Sequence, residues 1–170
     1  MATKASFSPE EWTKVLQSVM MAGIAVTAAD PSGLWGTLKE SMTAGHALLE
    51  AKSDTKSSQL IKAVVADFET SEGRTAARER LRATFTGSTP AEVKGKAVAA
   101  VREAAALLDA KAPDDATAFK AWLRHISQAV AEASTEGGFL GIGGVRVSDA
   151  EKATLGEVSD ALGLKAASTP

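Results

Sequence analysis

Three carboxylates, Asp30, Glu136 and Glu151, and one arginine, Arg146, stand where the chain is expected to turn. Carboxylate oxygens suit a hard cation such as calcium or magnesium, provided the turns that carry them meet at one end of a helical fold. Two of them also have a plainer role: Asp30 precedes Pro31 in a turn, and Glu151 lies three residues after Ser148, the spacing of a capping box. Their spacing is not that of an EF-hand. Arg146 falls within residues 136–147, where five glycines alternate with five large apolar residues. One reading is a backbone-amide cradle for an anion beside the helix start at Ser148. No Gly-Lys-Ser/Thr signature accompanies it, and Asp149 with Glu151 would repel phosphate. A second reading exposes Phe139, Leu140 and Ile142, with Arg146, to a protein partner's groove, a second copy or a membrane surface. A third folds these apolar side chains back as a plug for one end of the fold.

The other chemistry-bearing residues point to less. His46 and His125 have no Ser-His-Asp or Glu-x-x-His context. Arg74, Arg78, Arg80 and Arg82 surround Glu79 on a solvated helix face, and Trp35 and Trp122 fall at core spacing. No nucleophile–base pair is legible, so a non-enzyme is expected.

The elements that must position these residues read as helices. Ser8-Pro9-Glu10-Glu11 is a helix start, and Trp12, Val15, Leu16, Val19, Met20 and Gly23 follow at spacings of three and four. Gly23 marks a close approach of another helix. Further apolar faces are Leu34 to Leu49, Leu60 to Phe68, Ala77 to Phe85, Val93 to Leu108, Phe119 to Val130 and Leu155 to Leu162. Capping boxes open at Thr89 and Ser148, and Gly163 stands where a helix C-terminus places its glycine. The only candidate strand, 142–147, is isolated. The pattern predicts an all-α single domain of six or seven helices. The helical domain covers 8–164, between a flexible segment 1–7 and a flexible tail 165–170, and the glycine-rich apolar loop precedes its last helix.

A chain of 170 residues with 45% hydrophobic and 24% charged residues is long enough for one packed core. A net charge of -2 argues against partners recruited by bulk charge, nucleic acid and anionic membrane among them. The absence of cysteine excludes disulfides and thiolate metal sites. The first residues lack a signal peptide's apolar run and no stretch approaches a membrane span, so a cytoplasmic location is expected.

Two resemblances bear on function. Ser8-Pro9-Glu10-Glu11-Trp12, Ala29 to Gly36, Phe119 to Leu123 and Gly137 to Gly141 together resemble a family of small uncharacterised bacterial proteins, which implies no particular activity. Glu136-Gly137, Val147-Ser148-Asp149-Ala150-Glu151 and Leu162-Gly163 resemble tellurite-resistance TerB-like domains, all-helical and associated with metal-ion stress. Their turn is a compact Ala-Asp-Gly, whereas here Pro31 follows Asp30 and Phe139 to Val145 lengthen the later turn. That resemblance implies calcium or magnesium on Asp30, Glu136 and Glu151. The residues themselves point first to a cofactor-free protein acting through protein–protein contact or self-assembly.

Overall fold

The computed structural model describes residues 1–29, 48, 50–51, 57–135 and 147–164. The protein is an all-α bundle: a short 3-10 turn, Lys4–Ser6, precedes α1 (Pro9–Thr27), α2 (Gln59–Glu69), α3 (Ser71–Phe85), α4 (Pro90–Lys111), α5 (Pro113–Thr135) and α6 (Asp149–Ala161), with no strand among the described residues. Of the helix expected over 33–51, Leu48, Glu50 and Ala51 are described and helical. No described helix is long and apolar enough to cross a membrane.

Helix starts follow local capping chemistry. The Ser8 backbone N–H donates to Glu11 Oε2 at 2.8 Å, and the Glu11 N–H donates to Ser8 Oγ at 3.2 Å. The same reciprocal pair joins Ser148 and Glu151. At the start of α4 the Thr89 N–H and hydroxyl both donate to Glu92 Oε2, at 2.7 and 2.8 Å. Gly163, just past α6, has φ of 66°, which only glycine adopts without strain.

Two of these caps carry a pH dependence. The Ser8 backbone N–H, followed by Lys111, holds the Glu11 carboxyl below its ordinary value, and the Thr89 backbone N–H does the same for Glu92. A pKa lowered by folding contributes stability above the unfolded value and loses it as pH falls through the folded one. Glu92→Gln is therefore expected to melt below the wild type at neutral pH, with the gap closing in acid beneath the ordinary glutamate range. Thermal melts across pH check this; a gap independent of pH would assign the effect to packing instead.

α1 is the axis of the described bundle and contacts each of α2 to α6, α4 and α5 most extensively. It is buried on more than one face: Gln17 and Ser18, which interrupt its apolar run, are as inaccessible as Val15 and Leu16. Their polar groups are satisfied. Gln17 Nε2 donates to Thr84 Oγ1 at 2.7 Å, and Ser18 Oγ to the Val15 carbonyl at 2.7 Å. Gly23 does mark a close approach. A Cβ there would lie 3.4 Å from Val130 Cγ2, and one turn away Ser127 Oγ donates to the Ala22 carbonyl at 2.8 Å. Phe119 packs edge-on to Trp122, ring centroids 5.3 Å apart. On α6 the expected Val158 and Leu162 are buried and Leu155 is half-buried, while Glu151, Thr154 and Ser159 are buried with them.

Gly95, by contrast, lies in the second turn of α4 with open space where a side chain would go. Gly95→Ala is expected to stabilise the protein by about 0.5–1 kcal/mol, because alanine restricts the unfolded chain and meets no atom in the folded one. A chemical-denaturation midpoint that falls would contradict this.

Residues 1–7, expected to be flexible, pack against the bundle in the structure. Ala2 and Phe7 belong to the main core cluster, and the Ala2 N–H donates to the buried Asp115 Oδ2 at 2.6 Å. The reason is local to α1. Phe7 immediately precedes the cap residue Ser8, and Trp12 is the fourth helical residue, so the two rings close a hydrophobic staple, 5.8 Å between centroids. The tail 165–170 lies outside the described residues.

Candidate functional site

The residues singled out from sequence fall mostly beyond what the structure describes. Asp30, Glu136, Phe139, Leu140, Ile142 and Arg146 lie outside the described residues. Glu151 is described: it is buried, and its carboxylate accepts the Ser148 N–H as the third residue of a capping box. Asp149 is fully exposed and pairs with Lys152 at 3.4 Å. His125 is exposed, its Nε2 3.5 Å from a Glu50 carboxylate oxygen. Among the described residues no three histidine, aspartate or glutamate side chains converge on a point that would hold a metal ion. Val147, at the end of the glycine-rich stretch, is half-buried against Val26, Val130 and Ala131.

A different place combines concavity, aromatic side chains and a sheltered charge. A groove of about 630 Å³ opens between the 3-10 turn, the first half of α1 and the corner joining α2 to α3. Its lining includes Phe7, Trp12 and Leu16, which are themselves buried in the core, together with Gly73, Ala76 and Asp67. Its volume falls within the usual range for ligand and peptide-anchor sites.

Local chemistry explains how the corner forms. Thr70 alone separates α2 from α3, with extended backbone (φ -82°, ψ 151°). It closes one helix and opens the next. Its N–H and its hydroxyl both donate to the Asp67 carbonyl, at 3.0 and 2.7 Å, while its Oγ1 accepts the Gly73 N–H at 2.9 Å. Arg74 folds back to donate to the carbonyls of Phe68 and Glu69 at 2.9 and 2.8 Å, satisfying acceptors that the end of α2 leaves open. This corner leaves no room at Gly73: a Cβ there would lie 2.2 Å from the Asp67 carbonyl oxygen.

Asp67 ties three elements together. Its Oδ1 accepts Lys4 Nζ at 2.8 Å, and its Oδ2 accepts Trp12 Nε1 at 2.8 Å. Its side chain is only 12% exposed, whereas that of Lys4 is 58% exposed. The indole thus has its apolar body in the core and its N–H satisfied by a charge at the groove, an arrangement suited to a buried tryptophan. The Thr13 hydroxyl, also in the lining, donates to the Pro9 carbonyl at 2.8 Å. Glu72 stands exposed at the rim.

Neither Asp67 nor Gly73 is conspicuous in the sequence. Asp67 is one of many acids on exposed helix faces, 55 residues from Trp12. The available signals were Phe7 at staple distance from Trp12 and a glycine three residues after the helix-capping Thr70. No family model matches the chain, and neither a curated protein nor a solved structure is significantly similar to it.

Proposed function

We propose that this protein is a non-enzymatic interaction module, which recognises a protein partner or a second copy through the groove beside Trp12. The observation that carries the reading is the pairing of a lining that includes Phe7 and Trp12 with a carboxylate whose two oxygens are already engaged by Trp12 and Lys4. Such a groove offers shape and a fixed orientation over a closely packed apolar floor, features of an interface pocket. Asp67 is held rather than poised, and the Thr13 hydroxyl is held likewise. The loop residues Phe139, Leu140, Ile142 and Arg146 remain proposed as a second contact of the same kind, to be probed by Phe139→Ser with Leu140→Ser. The TerB-like alternative needs Asp30, Glu136 and Glu151 around calcium or magnesium, and Glu151 already serves the Ser148 cap.

Ala76 lines the groove from α3 and is half-buried, so Ala76→Trp fills the cavity from its open side. Native mass spectrometry of wild-type and Ala76→Trp protein, alone and after affinity capture from the source cells, tests the reading. A multimer or a stoichiometric complex that the wild type forms and the filled variant loses supports it. Association that Ala76→Trp leaves untouched sinks it, as does a wild-type protein that captures nothing and stays monomeric. A mass increment removed by chelator would instead favour the cation reading.

A further inference from the structure

Asp115 is the third residue of α5 and only 4% exposed. The bond from the Ala2 backbone N–H, at 2.6 Å, is the only hydrogen bond its carboxylate receives among the described residues. A carboxylate can accept about four donors, and a buried charge is costly unless a counter-charge or several donors answer it. The amino end of α5 offsets part of that charge. No cation among the described residues pairs with it. Lys111 lines the small cavity beside Asp115 but directs its ammonium to Glu11, at 3.0 Å. The Met1 nitrogen points outward, 3.8 Å from the exposed Asp114.

The atom placed to supply the missing charge is the Ala2 nitrogen itself. It is a neutral amide only while Met1 is attached. Met1 is 89% exposed and packs on nothing, whereas Ala2 belongs to the main core cluster. We propose that the Met1–Ala2 bond is a processing site, and that the working chain carries an unblocked ammonium on Ala2, ion-paired with Asp115 inside the fold. The step is a hydrolysis by an aminopeptidase that removes methionine before a small residue. Water breaks the amide: its hydroxyl goes to the methionine carbonyl carbon and its hydrogen to the Ala2 nitrogen, which takes a further proton at neutral pH. Free methionine leaves. The cavity of about 120 Å³ beside the pair, with Asp114 in its lining, gives the other ammonium hydrogens access to water or a second carboxylate. Because Ala2 is buried once the segment docks, hydrolysis precedes docking, and the docked amine is then shielded from acetylation. The segment is so held at three points: Ala2 on Asp115, Lys4 on Asp67, and Phe7 on Trp12. None of this depends on the interaction reading.

Intact-mass spectrometry of the protein from its source cells tests the processing. The expected mass is that of residues 2–170 without an acetyl group. Retained Met1, an acetylated Ala2 or residues ahead of Met1 overturns the proposal. Full chains released from a cleavable fusion, one starting at Met1 and one at Ala2, test the pair. The Ala2 chain is expected to melt roughly 3 °C or more above the Met1 chain. Asp115→Asn is expected to remove that difference, with circular dichroism confirming the fold. Asp160→Asn makes the same charge change on the exposed face of α6, away from this cavity, and should leave the difference intact. The difference should also fade in alkali, where the amine loses its proton, a readout that needs no variant. Equal melting of the two chains, a difference constant with pH, or one that survives Asp115→Asn overturns the ion pair. Equal effects of Asp115→Asn and Asp160→Asn reduce it to net charge and overturn it as well.

Discussion

Trp12→Ala is expected to cost about 3–5 kcal/mol and to lower the melting temperature by roughly 10 °C or more, the largest single-residue effect at the groove. Three losses combine. The indole is 3% exposed in the main core, so its removal leaves a cavity between α1 and its neighbours. Phe7 loses the partner that staples the N-terminal segment to α1. Asp67 loses the donor on Oδ2 and keeps only Lys4, on an exposed side chain. Trp12→Phe separates these contributions. It retains an aromatic ring for Phe7 and most of the apolar area but removes the N–H, so about 1–2 kcal/mol is expected from the unpaired acceptor and the smaller ring. Urea denaturation of both variants checks the order. Trp12→Phe as damaging as Trp12→Ala would make the Asp67 bond dominant over packing; two near-neutral variants would contradict the buried position of the ring. Trp12→Ala is also expected to abolish partner capture, because it removes part of the groove's lining.

Gly73→Ala is expected to destabilise by about 3 kcal/mol, through backbone rather than lost contacts. The new methyl would lie 2.2 Å from the Asp67 carbonyl oxygen and 2.8 Å from its carbon. Neither atom belongs to a flexible side chain. The oxygen is already fixed by the Thr70 N–H and hydroxyl, so relief requires the α2–α3 corner to open. Opening it moves Asp67 relative to Trp12 and Lys4. The stability loss should therefore accompany weakened partner capture, even though Gly73 presents no side chain to a partner. Gly95→Ala supplies the contrast, since the same substitution in a helix with open space should stabilise. If both glycine variants stabilise alike, the corner is looser than its geometry indicates.

Helix type and most helix boundaries were legible in the sequence. Ser8 with Glu11, Thr89 with Glu92, and Ser148 with Glu151 mark starts, and Gly163 marks an end, because the interactions that begin or stop a helix act within about four residues. Apolar spacing likewise identified the buried rows headed by Trp12, Leu60 and Phe119, and the row from Val93, of which Ala97, Val101, Ala104 and Leu108 are buried and Val93 itself is half-buried. The staple from Phe7 to Trp12 is just as local, and the N-terminal segment is packed for a reason written in adjacent residues.

What only the tertiary structure decided is where those faces point and what they meet. Periodicity identified one face of α1, but burial of Gln17 and Ser18 follows from its place at the centre of the bundle, with α2 to α6 around it. Asp115 receives the Ala2 N–H across 113 residues, and Asp67 receives Trp12 across 55. No short-range pattern encodes either pair. Gly73 depends on the angle at which α3 leaves α2, which sets its distance from one carbonyl. Local hydrogen bonding and amphipathic spacing determine elements from their own residues. A groove depends on the relative positions of several elements, and those are set by packing among side chains far apart in the chain.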